Sequence, residues 1–247
     1  MRLSLVLAAF VLTAMPLCAA AGDLYVTAGG GMANALNGES VGGMTAGQDE
    51  DGAALSLSTR YDGGFFAFSG YGKRSAYGPF RSELELSYSS VGVDKHVRPS
   101  RGDVVLDDAP ASSLLGAGAG NLPLAQFLAQ DEGEVQATTL MVNAFWDIPV
   151  GDNQLAPYIG LGVGASFIDA EFAPSGVSIL DGEDWVFAYQ AMLGVQMKAT
   201  ENLLIRGGFR YRGTGDVEIG SPLPALAEGL EIDMKQTMFE IGLRRNF

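Results

Sequence analysis

The chain has 247 residues, of which 47% are hydrophobic, and its 29 acidic and 15 basic residues give a formal net charge of −14. A sequence pI near 4.3 argues against nucleic acid as a partner, because phosphate binding needs an excess of Lys and Arg. Beyond its N-terminal segment the sequence lacks the roughly 18 consecutive apolar residues that a membrane-spanning helix requires. The apolar residues must therefore be arranged in another way.

Residues 1–21 have the layout of a secretory signal peptide. Arg2 gives a short positive start, residues 3–17 are almost entirely apolar, and the alanines at 19–21 offer a cleavage site before Gly22. We expect these residues to be removed during export, and residues 22–247 to form a single β-barrel domain. The only cysteine, Cys18, would leave with the signal, so neither disulfides nor thiol chemistry is expected in the mature chain.

The rest of the chain alternates long and short connections between segments with strand patterns. Strands are predicted over residues 23–32, 53–71, 80–91, 134–148, 155–168, 185–198 and 202–212, and from 233 to the C-terminus. The connections after the second, fourth and sixth strands are short, and the others are long. This alternation is typical of an outer-membrane barrel whose turns face the periplasm and whose loops face outward. We therefore predict an all-β fold, a transmembrane antiparallel up-and-down β-barrel with eight strands.

The segment 53–71 leaves the strand count open. Residues 53–61 alternate on their own, and Asp62 with the two glycines after it could turn them into a separate strand. Nine strands would put the termini on opposite sides of the membrane, whereas bacterial single-chain barrels are even-numbered. We therefore interpret residues 53–71 as one strand with a bulge at Gly63-Gly64. Ten strands are the alternative if the second long loop contains another strand.

Side-chain parity separates an apolar face from a charged face in several of these strands. In the seventh strand Arg206, Arg210 and Arg212 alternate with large apolar residues, and the last strand carries Glu240 and Arg244 on its polar face. Arginines buried in a soluble core without partners would be prohibitively costly, whereas in a hydrated lumen they can pair with glutamates. The predicted lumen ion-pair network contains Arg81, Glu83, Glu85, Arg206, Arg210, Arg212, Glu240 and Arg244. A soluble sheet with one solvated polar face is the alternative, which the signal peptide disfavours.

Glycines and aromatic residues complete the predicted barrel. Gly160, Gly162 and Gly164 share the inner face of the fifth strand and are expected to leave room for the long charged side chains opposite. Aromatic residues gather near the predicted strand ends, where amphipathic rings favour the headgroup zone. We expect two girdles formed by Tyr71, Phe80, Tyr88, Trp146, Tyr158, Phe167, Trp185, Tyr211 and Phe247.

An ordered set of segments carries a family resemblance. The segments FRSELELSYSS, NAFWDIP, LAPYIGLGVGASF, FAYQAMLGVQMKATENLLIRGGFRYRG and the terminal EIGLRRNF resemble the small porin-like outer-membrane β-barrel proteins of the alphaproteobacterial surface-antigen and opacity-protein type. The resemblance covers nearly all of the mature chain and implies an OmpA-like eight-stranded barrel in the outer membrane of a Gram-negative bacterium. The partners it implies are outer-membrane lipids, lipopolysaccharide and the barrel-insertion machinery, for which Phe247 would be the terminal signal.

One residue departs from the family pattern. Members of this family often carry an aromatic residue two positions before the terminal Phe, where this chain has Arg245. This arginine either weakens recognition by the insertion machinery or snorkels to the periplasmic interface.

The sequence offers little for catalysis. The single histidine, His96, is predicted in the second long loop without an accompanying serine, and we interpret it as a solvated residue. Zinc needs several His or Cys ligands, and the glycines at 116–120 and 160–164 lack the Lys-Ser/Thr pair of a phosphate-binding loop. We therefore expect neither enzyme activity nor a cofactor or a metal.

The predicted loops have two features of interest. They are acidic, for example at Asp181, Glu183 and Asp184; solubility is the preferred interpretation, and weak divalent-cation binding toward lipopolysaccharide is the alternative. Residues 112–130 are apolar for an exposed loop, and could form a helix over the barrel mouth, fold into the lumen or contact an extracellular partner.

The preferred function is a structural and surface-interaction barrel. Eight strands leave an interior that side chains nearly fill, so a largely plugged lumen is expected. A narrow porin for small solutes or ions is the alternative.

Overall fold

The structure is a computed structural model and shows a closed antiparallel β-barrel. It describes residues 24–36, 38–42, 55–61, 63–101, 104–115, 120–128, 133–150, 155–172, 180–215, 217–219, 230–232 and 234–247. The predicted signal peptide, residues 1–21, and most of the predicted turn at 150–153 lie outside the described residues.

Strands make up most of the described chain, and two short helices accompany them. The strands are β1 (Leu24–Ala35), β2 (Gly38–Gly42), β3 (Leu55–Tyr61), β4 (Gly63–Arg74), β5 (Phe80–Arg101), β6 (Val104–Val105), β7 (Gly133–Asp147), β8 (Leu155–Phe172), β9 (Leu180–Lys198), β10 (Leu203–Thr214), β11 (Val217–Ile219), β12 (Leu230–Ile232) and β13 (Lys235–Asn246). The helices are α1 (Ala111–Leu115) and α2 (Leu124–Leu128).

The barrel wall closes on itself. Among the described strands its order is β5-β4-β1-β13-β10-β9-β8-β7, and β7 pairs again with β5. Each neighbouring pair in this ring is antiparallel, so the wall follows the chain up and down. Closure pairs the backbone groups of every wall strand without water, which is what lets strands cross a bilayer. The predicted eight-stranded transmembrane barrel is confirmed.

Residues 55–74 follow β5 as one interrupted strand. β3 pairs with the outer part of β5, from Leu55–Arg101 to Tyr61–Val93, and β4 pairs with its barrel part. The register shifts by one residue twice within β3, between Ser56 and Ser58 and between Arg60 and Tyr61. It shifts back by one residue between the Tyr61–Val93 and Phe65–Ser90 pairs, so the extra residue of the predicted bulge lies in the span that contains Gly63-Gly64. Gly64 is also needed for close approach, since a Cβ there would collide with the carbonyl oxygen of Ser90.

β5 is longer than the sequence pattern indicated. The predicted strand ends at Val91, but β5 leaves β7 after Gly92 and continues to Arg101 because β3 pairs with its outer part. His96, predicted in a loop, therefore lies in a strand opposite Thr59. Beyond the barrel wall, the described strands form a second sheet in the order β11-β12-β2-β3-β5, so part of the predicted long loops is a continuation of the wall.

The apolar segment 112–130 contributes to two short helices. α2 contacts β5 and buries Leu124, Phe127 and Leu128, and its Leu124 amide donates to the carbonyl of Ala109. The helical alternative for this segment thus holds for α1 and α2, and the apolar side chains of α2 are used within the loop fold. Neither helix in the described chain is long and apolar enough to cross a membrane.

The outer face of the wall is apolar. Leu161, Leu193 and Ile241 are 69%, 58% and 67% exposed, as expected for side chains that contact lipid. Phe80 lies opposite Trp146 toward the turn end, and Phe167 lies opposite Trp185 toward the loop end with ring centroids 5.3 Å apart. These pairs agree with two girdles. The inclusion of Tyr158 in a girdle is wrong, because it shares parity with Gly160 and points into the lumen, where it is 1% exposed.

Candidate functional site

The inner face of the barrel is charged. All eight residues of the predicted lumen network are buried, with no more than 6% of any of them exposed. Strand alternation places them there, since each lies between outward-facing residues of β5, β10 or β13. The eight side chains are Arg81, Glu83, Glu85, Arg206, Arg210, Arg212, Glu240 and Arg244.

Arg210 is the centre of this network. Its Nη2 lies 2.7 Å from Glu240 Oε2 and 3.1 Å from Glu85 Oε2, and its Nη1 also pairs with Glu85 Oε1. A further bond of 3.0 Å runs from Nη1 to Gln190 Oε1. In the described ring β10 and β5 are four strands apart in either direction. The Arg210–Glu85 pair therefore spans the lumen between opposite walls.

Neutral side chains hold Glu85 from the other side. Asn143 Nδ2 donates to Glu85 Oε2 at 3.3 Å, and Gln190 Nε2 donates to Asn143 Oδ1 at 2.7 Å. Arg212 adds a second connection across the lumen, with Nη2 2.9 Å from Ser87 Oγ and 3.5 Å from Glu85 Oε1. The buried charges are thus both paired and hydrogen-bonded, as burial of an ion pair requires.

Glu240 joins β13 to two further strands. Its Oε1 accepts from Arg206 Nη2 at 2.6 Å and from the Tyr158 hydroxyl at 3.1 Å. Charge-assisted bonds of this length are the stronger class of hydrogen bond. The central layer therefore fixes β5, β8, β10 and β13 relative to one another.

A second charged layer lies nearer the turn end. Arg81 Nε is 3.0 Å from Asp147 Oδ1, and Arg81 Nη1 donates to the Tyr25 hydroxyl at 3.2 Å and lies 3.6 Å from Glu83 Oε2. The acidic partner of Arg244 is Asp147, at 3.5 Å, and not a glutamate as expected. β13 and β7 are also four strands apart in the described ring, so this pair is a second bridge between opposite walls.

Aromatic rings line the wall behind the arginines, and glycines of neighbouring strands make room for them. A Cβ added to Gly208 would lie 2.7 Å from the Tyr158 hydroxyl, and a Cβ on Gly29 would lie 2.7 Å from the Phe68 ring. Arg206 in turn lies over both rings, 5.2 Å from each centroid. Gly160 likewise makes room for the ring of Phe145. The sequence had predicted that the space beside Gly160 would hold long charged side chains.

One side of the lumen is loosely bonded. Both carboxylate oxygens of Glu83, the hydroxyl of Thr27, and Nε and Nη1 of Arg206 are buried and have no hydrogen-bond partner among the described residues. Gly70 lies beside Thr27 and Glu83. Buried polar groups of this kind are normally satisfied by ordered water. Among the described residues the Glu83 side of the lumen is therefore the more loosely bonded side, and the Arg210 side is closed by direct bonds.

The predicted network left out five residues that bond to it in the lumen. Asp147, Tyr25, Tyr158, Asn143 and Gln190 all take part in the bonds described above. The signal was available for Asn143 and Asp147, because they share parity along β7 with the buried Thr139 and Met141. Tyr25 carried a weaker signal, since the glycines of β1 hide its alternation.

Two predicted features of the chain, Arg245 and Phe247, lie at the end of the last strand. Arg245 is exposed on the outer face beside Phe247, whose ring centroid is 5.8 Å from its guanidinium carbon. The Phe247 amide donates to the carbonyl of Leu24 at 3.0 Å; its role as an insertion signal stays a prediction. Within the described ranges, no group of three or more His, Cys, Asp and Glu side chains could hold a metal ion.

Comparison with known proteins gives a family and a fold. The sequence model of a family described as surface antigen matches residues 43–219, and no curated protein matches the chain. The crystal structure of the outer membrane protein OprG from Pseudomonas aeruginosa is similar, with a TM-score of 0.53 and 15% identity over 92% of this chain and 97% of that chain. Neisserial surface protein A is similar with a TM-score of 0.51 and 14% identity, over 92% of this chain and 100% of that chain. At these identities the structural similarity shows the outer-membrane barrel fold alone.

Proposed function

The chain belongs to the surface antigen family, and we propose that it acts as a closed outer-membrane barrel with a structural role and a loop-mediated surface role. The observation that carries the proposal is the Arg210–Glu85 pair between opposite walls, with the Arg244–Asp147 pair as a second bridge nearer the turns. A barrel of this size has an interior that side chains nearly fill. Two successive bridges between described residues therefore obstruct the axis of the barrel.

The same bridges stabilise the barrel. They connect strands that are not neighbours in the wall, so they resist deformation that backbone pairing between adjacent strands does not oppose. The aromatic rings behind Arg206 add packed area to the same layer. A rigid plugged barrel suits a protein whose contribution is mechanical, because it holds the loops on a fixed base.

Conductance tests this proposal. Wild-type protein in planar bilayers is expected to show small, rare openings, because the bridges obstruct the axis and the Glu83 side is the more loosely bonded one. A double variant with Glu85→Ala and Arg210→Ala removes both halves of the central bridge without changing the net charge of the lumen, and is expected to conduct steadily. Arg245→Ala, on the outer face, is the matched control and is expected to behave like wild type.

A narrow porin is the second candidate, and the unpaired polar atoms around Glu83 favour it. Steady, large conductance of the wild-type barrel, or rapid swelling of liposomes in sugar solutions, would make this second candidate the better one. No change of conductance in the double variant would contradict the central role of the Arg210 bridge.

The proposed surface role of the loops is supported by the structure that extends beyond the barrel wall. The second sheet and α2 give the loop end an ordered surface, and Val104 and Val105 are each 62% exposed on it. An epitope tag after Gly120 is expected to be labelled by antibody on intact cells. A tag after Ala76, in the turn that carries the exposed Tyr77, should be labelled only after the outer membrane is opened. The reverse pattern would overturn the orientation.

Export and assembly complete the proposal. Residues 1–21 would be cleaved after secretion, and N-terminal sequencing of the mature protein is expected to begin at Gly22. Phe247 would serve recognition by the insertion machinery, and the outer face would contact lipids and lipopolysaccharide. We propose no catalytic role, cofactor or nucleic-acid partner. Lipid A or peptide turnover by the purified barrel would overturn that part.

A further inference from the structure

A cavity of about 570 Å³ opens at the turn end of the barrel. Its walls come from the β4–β5 turn, the residues after β7, the start of β8 and the ends of β9 and β13. We call it the vestibule and define it by Arg74, Asp147, Leu155, Gln196, Lys198 and Arg244. Its volume lies in the range of sites that take small molecules.

The vestibule has the opposite charge to the protein as a whole. Three of its lining side chains are basic and one is acidic, in a chain with a formal net charge of −14. The one acid, Asp147, is already engaged by Arg81 at 3.0 Å from the lumen side. The charge that faces the vestibule is therefore positive.

Arg244 is built to bind an anion there. It is 3% exposed and lines the vestibule, and its Nε and Nη1 make no hydrogen bond to any described residue. Its Nη1 lies 3.5 Å from Asp147 Oδ2, which is an ion pair without a hydrogen bond. A buried guanidinium with free donors fits the oxygens of a phosphate or carboxylate. The buried Gln196 lines the same space, and Arg74 and Lys198 are exposed basic groups around it.

We propose that the vestibule is a binding site for a small phosphate- or carboxylate-bearing solute that enters from the turn side. The site is blind-ended, because Arg81 and the Arg210 layer lie behind Arg244. Binding therefore occurs without passage through the barrel. The inference does not depend on whether the barrel conducts.

Calorimetric titration of the full barrel in detergent at low ionic strength tests the site. Inorganic phosphate and glucose 6-phosphate are expected to bind weakly and saturably, and glucose is expected not to bind. Binding should weaken as salt is added, because exposed Arg74 and Lys198 contribute screened charge. Absence of saturable binding of both phosphates would overturn the proposal.

Charge variants locate the site. Arg74→Gln and Lys198→Gln are each expected to weaken phosphate binding by about threefold to fivefold, and the double variant by about tenfold. Arg245→Gln removes the same charge from the neighbouring residue on the outer face and is expected to leave binding unchanged. An equal loss in Arg245→Gln would show a general charge effect and overturn the site. Both exposed variants leave the lumen network intact, so they test the site without altering the buried Arg244.

A second experiment distinguishes a lipid headgroup from a free solute as the anion that occupies the vestibule. If phosphate binding in detergent is lost in nanodiscs of anionic phospholipid, a lipid headgroup occupies the vestibule. If binding is retained there, the natural ligand is a free solute. Either result supports an anion site, and both are separable from the conductance test because glucose 6-phosphate binding does not require an open lumen.

Discussion

Replacement of Arg210 by methionine should be the most costly single change in the lumen. Arg210 is fully buried and donates to Glu85, Glu240 and Gln190. Its removal leaves two buried carboxylates facing the same space. Breaking one side of a buried ion pair costs about 3–5 kcal/mol. Glu240 keeps Arg206 at 2.6 Å, and Glu85 keeps Arg212 at 3.5 Å as its one charged partner among the described residues, so we expect a loss of about 3 kcal/mol in the free energy of unfolding.

Equilibrium unfolding in urea from lipid vesicles measures this loss. The chain has two tryptophans, Trp146 and Trp185, which are 42% and 67% exposed on the outer face and should report the transfer from lipid to water by fluorescence. Arg245→Met on the outer face is the control, with an expected change within about 0.5 kcal/mol. Adding Glu85→Gln to Arg210→Met should recover part of the loss, because one uncompensated charge is removed. A loss below about 1 kcal/mol, or a double variant less stable than Arg210→Met alone, would refute the reasoning, since hydration would then be screening the network.

The remaining predictions concern the space available in the lumen and the depth of outward-facing residues in the bilayer. Gly208→Ala should lower the free energy of unfolding by about 1–3 kcal/mol because its Cβ would meet the Tyr158 hydroxyl, whereas Gly207→Ala, which faces outward with no neighbouring atom nearer than 3.7 Å, should be close to neutral. Loss of heat-modifiable gel migration at a lower temperature in the Gly208 variant alone would show this, and equal effects would contradict it. Ile241→Arg, on the lipid face, should cost about 2–4 kcal/mol, and Thr237→Arg, on the same face nearer the strand end, about 0–1 kcal/mol. Urea unfolding of the two arginine variants compares them, and equal costs would mean that the assumed bilayer position is wrong.

The barrel wall could be predicted because its signal is local. In β10 and β13 the charged residues Arg206, Arg210 and Glu240 have the opposite parity to large apolar residues, so the sequence of a single strand indicates which face meets lipid. The inward direction of Arg206, Arg210 and Glu240 follows from that parity without knowledge of any partner. The alternation of connection lengths adds the order of the strands, because each short turn forces its two strands to be neighbours.

Partners across the lumen could not be predicted in the same way. Parity says that Arg244 points inward, but the height of β13 relative to β7 depends on the stagger of the whole ring. That stagger brings Asp147 to Arg244, and no pattern within either strand contains it. The extension of β5 to Arg101 was missed for a related reason, since it depends on pairing with β3 beyond the membrane.

The misplacement of Tyr158 has a different origin. Its parity with Gly160 was visible in the sequence, but its position near the strand end suggested an interface ring. Gly194 on the neighbouring strand β9, and Gly208 on β10 beyond it, provide the space in which this ring lies. An aromatic residue that is level with glycines on the next two strands of the sheet is therefore a better indicator of a lumen ring than distance from the strand end.

Charge is distributed along the barrel axis as well as across it. The acidic residues outside the lumen are concentrated in the segments between the long-loop ends of the strands, while the vestibule at the turn end is lined by Arg74, Lys198 and Arg244. A protein field of this kind raises the local concentration of cations at one mouth and of anions at the other. The central layer separates the two regions, because the Arg210–Glu85 bridge joins opposite walls between them. Any residual current should therefore favour cations that enter from the loop side, and anions that enter from the turn side should stop at Arg244.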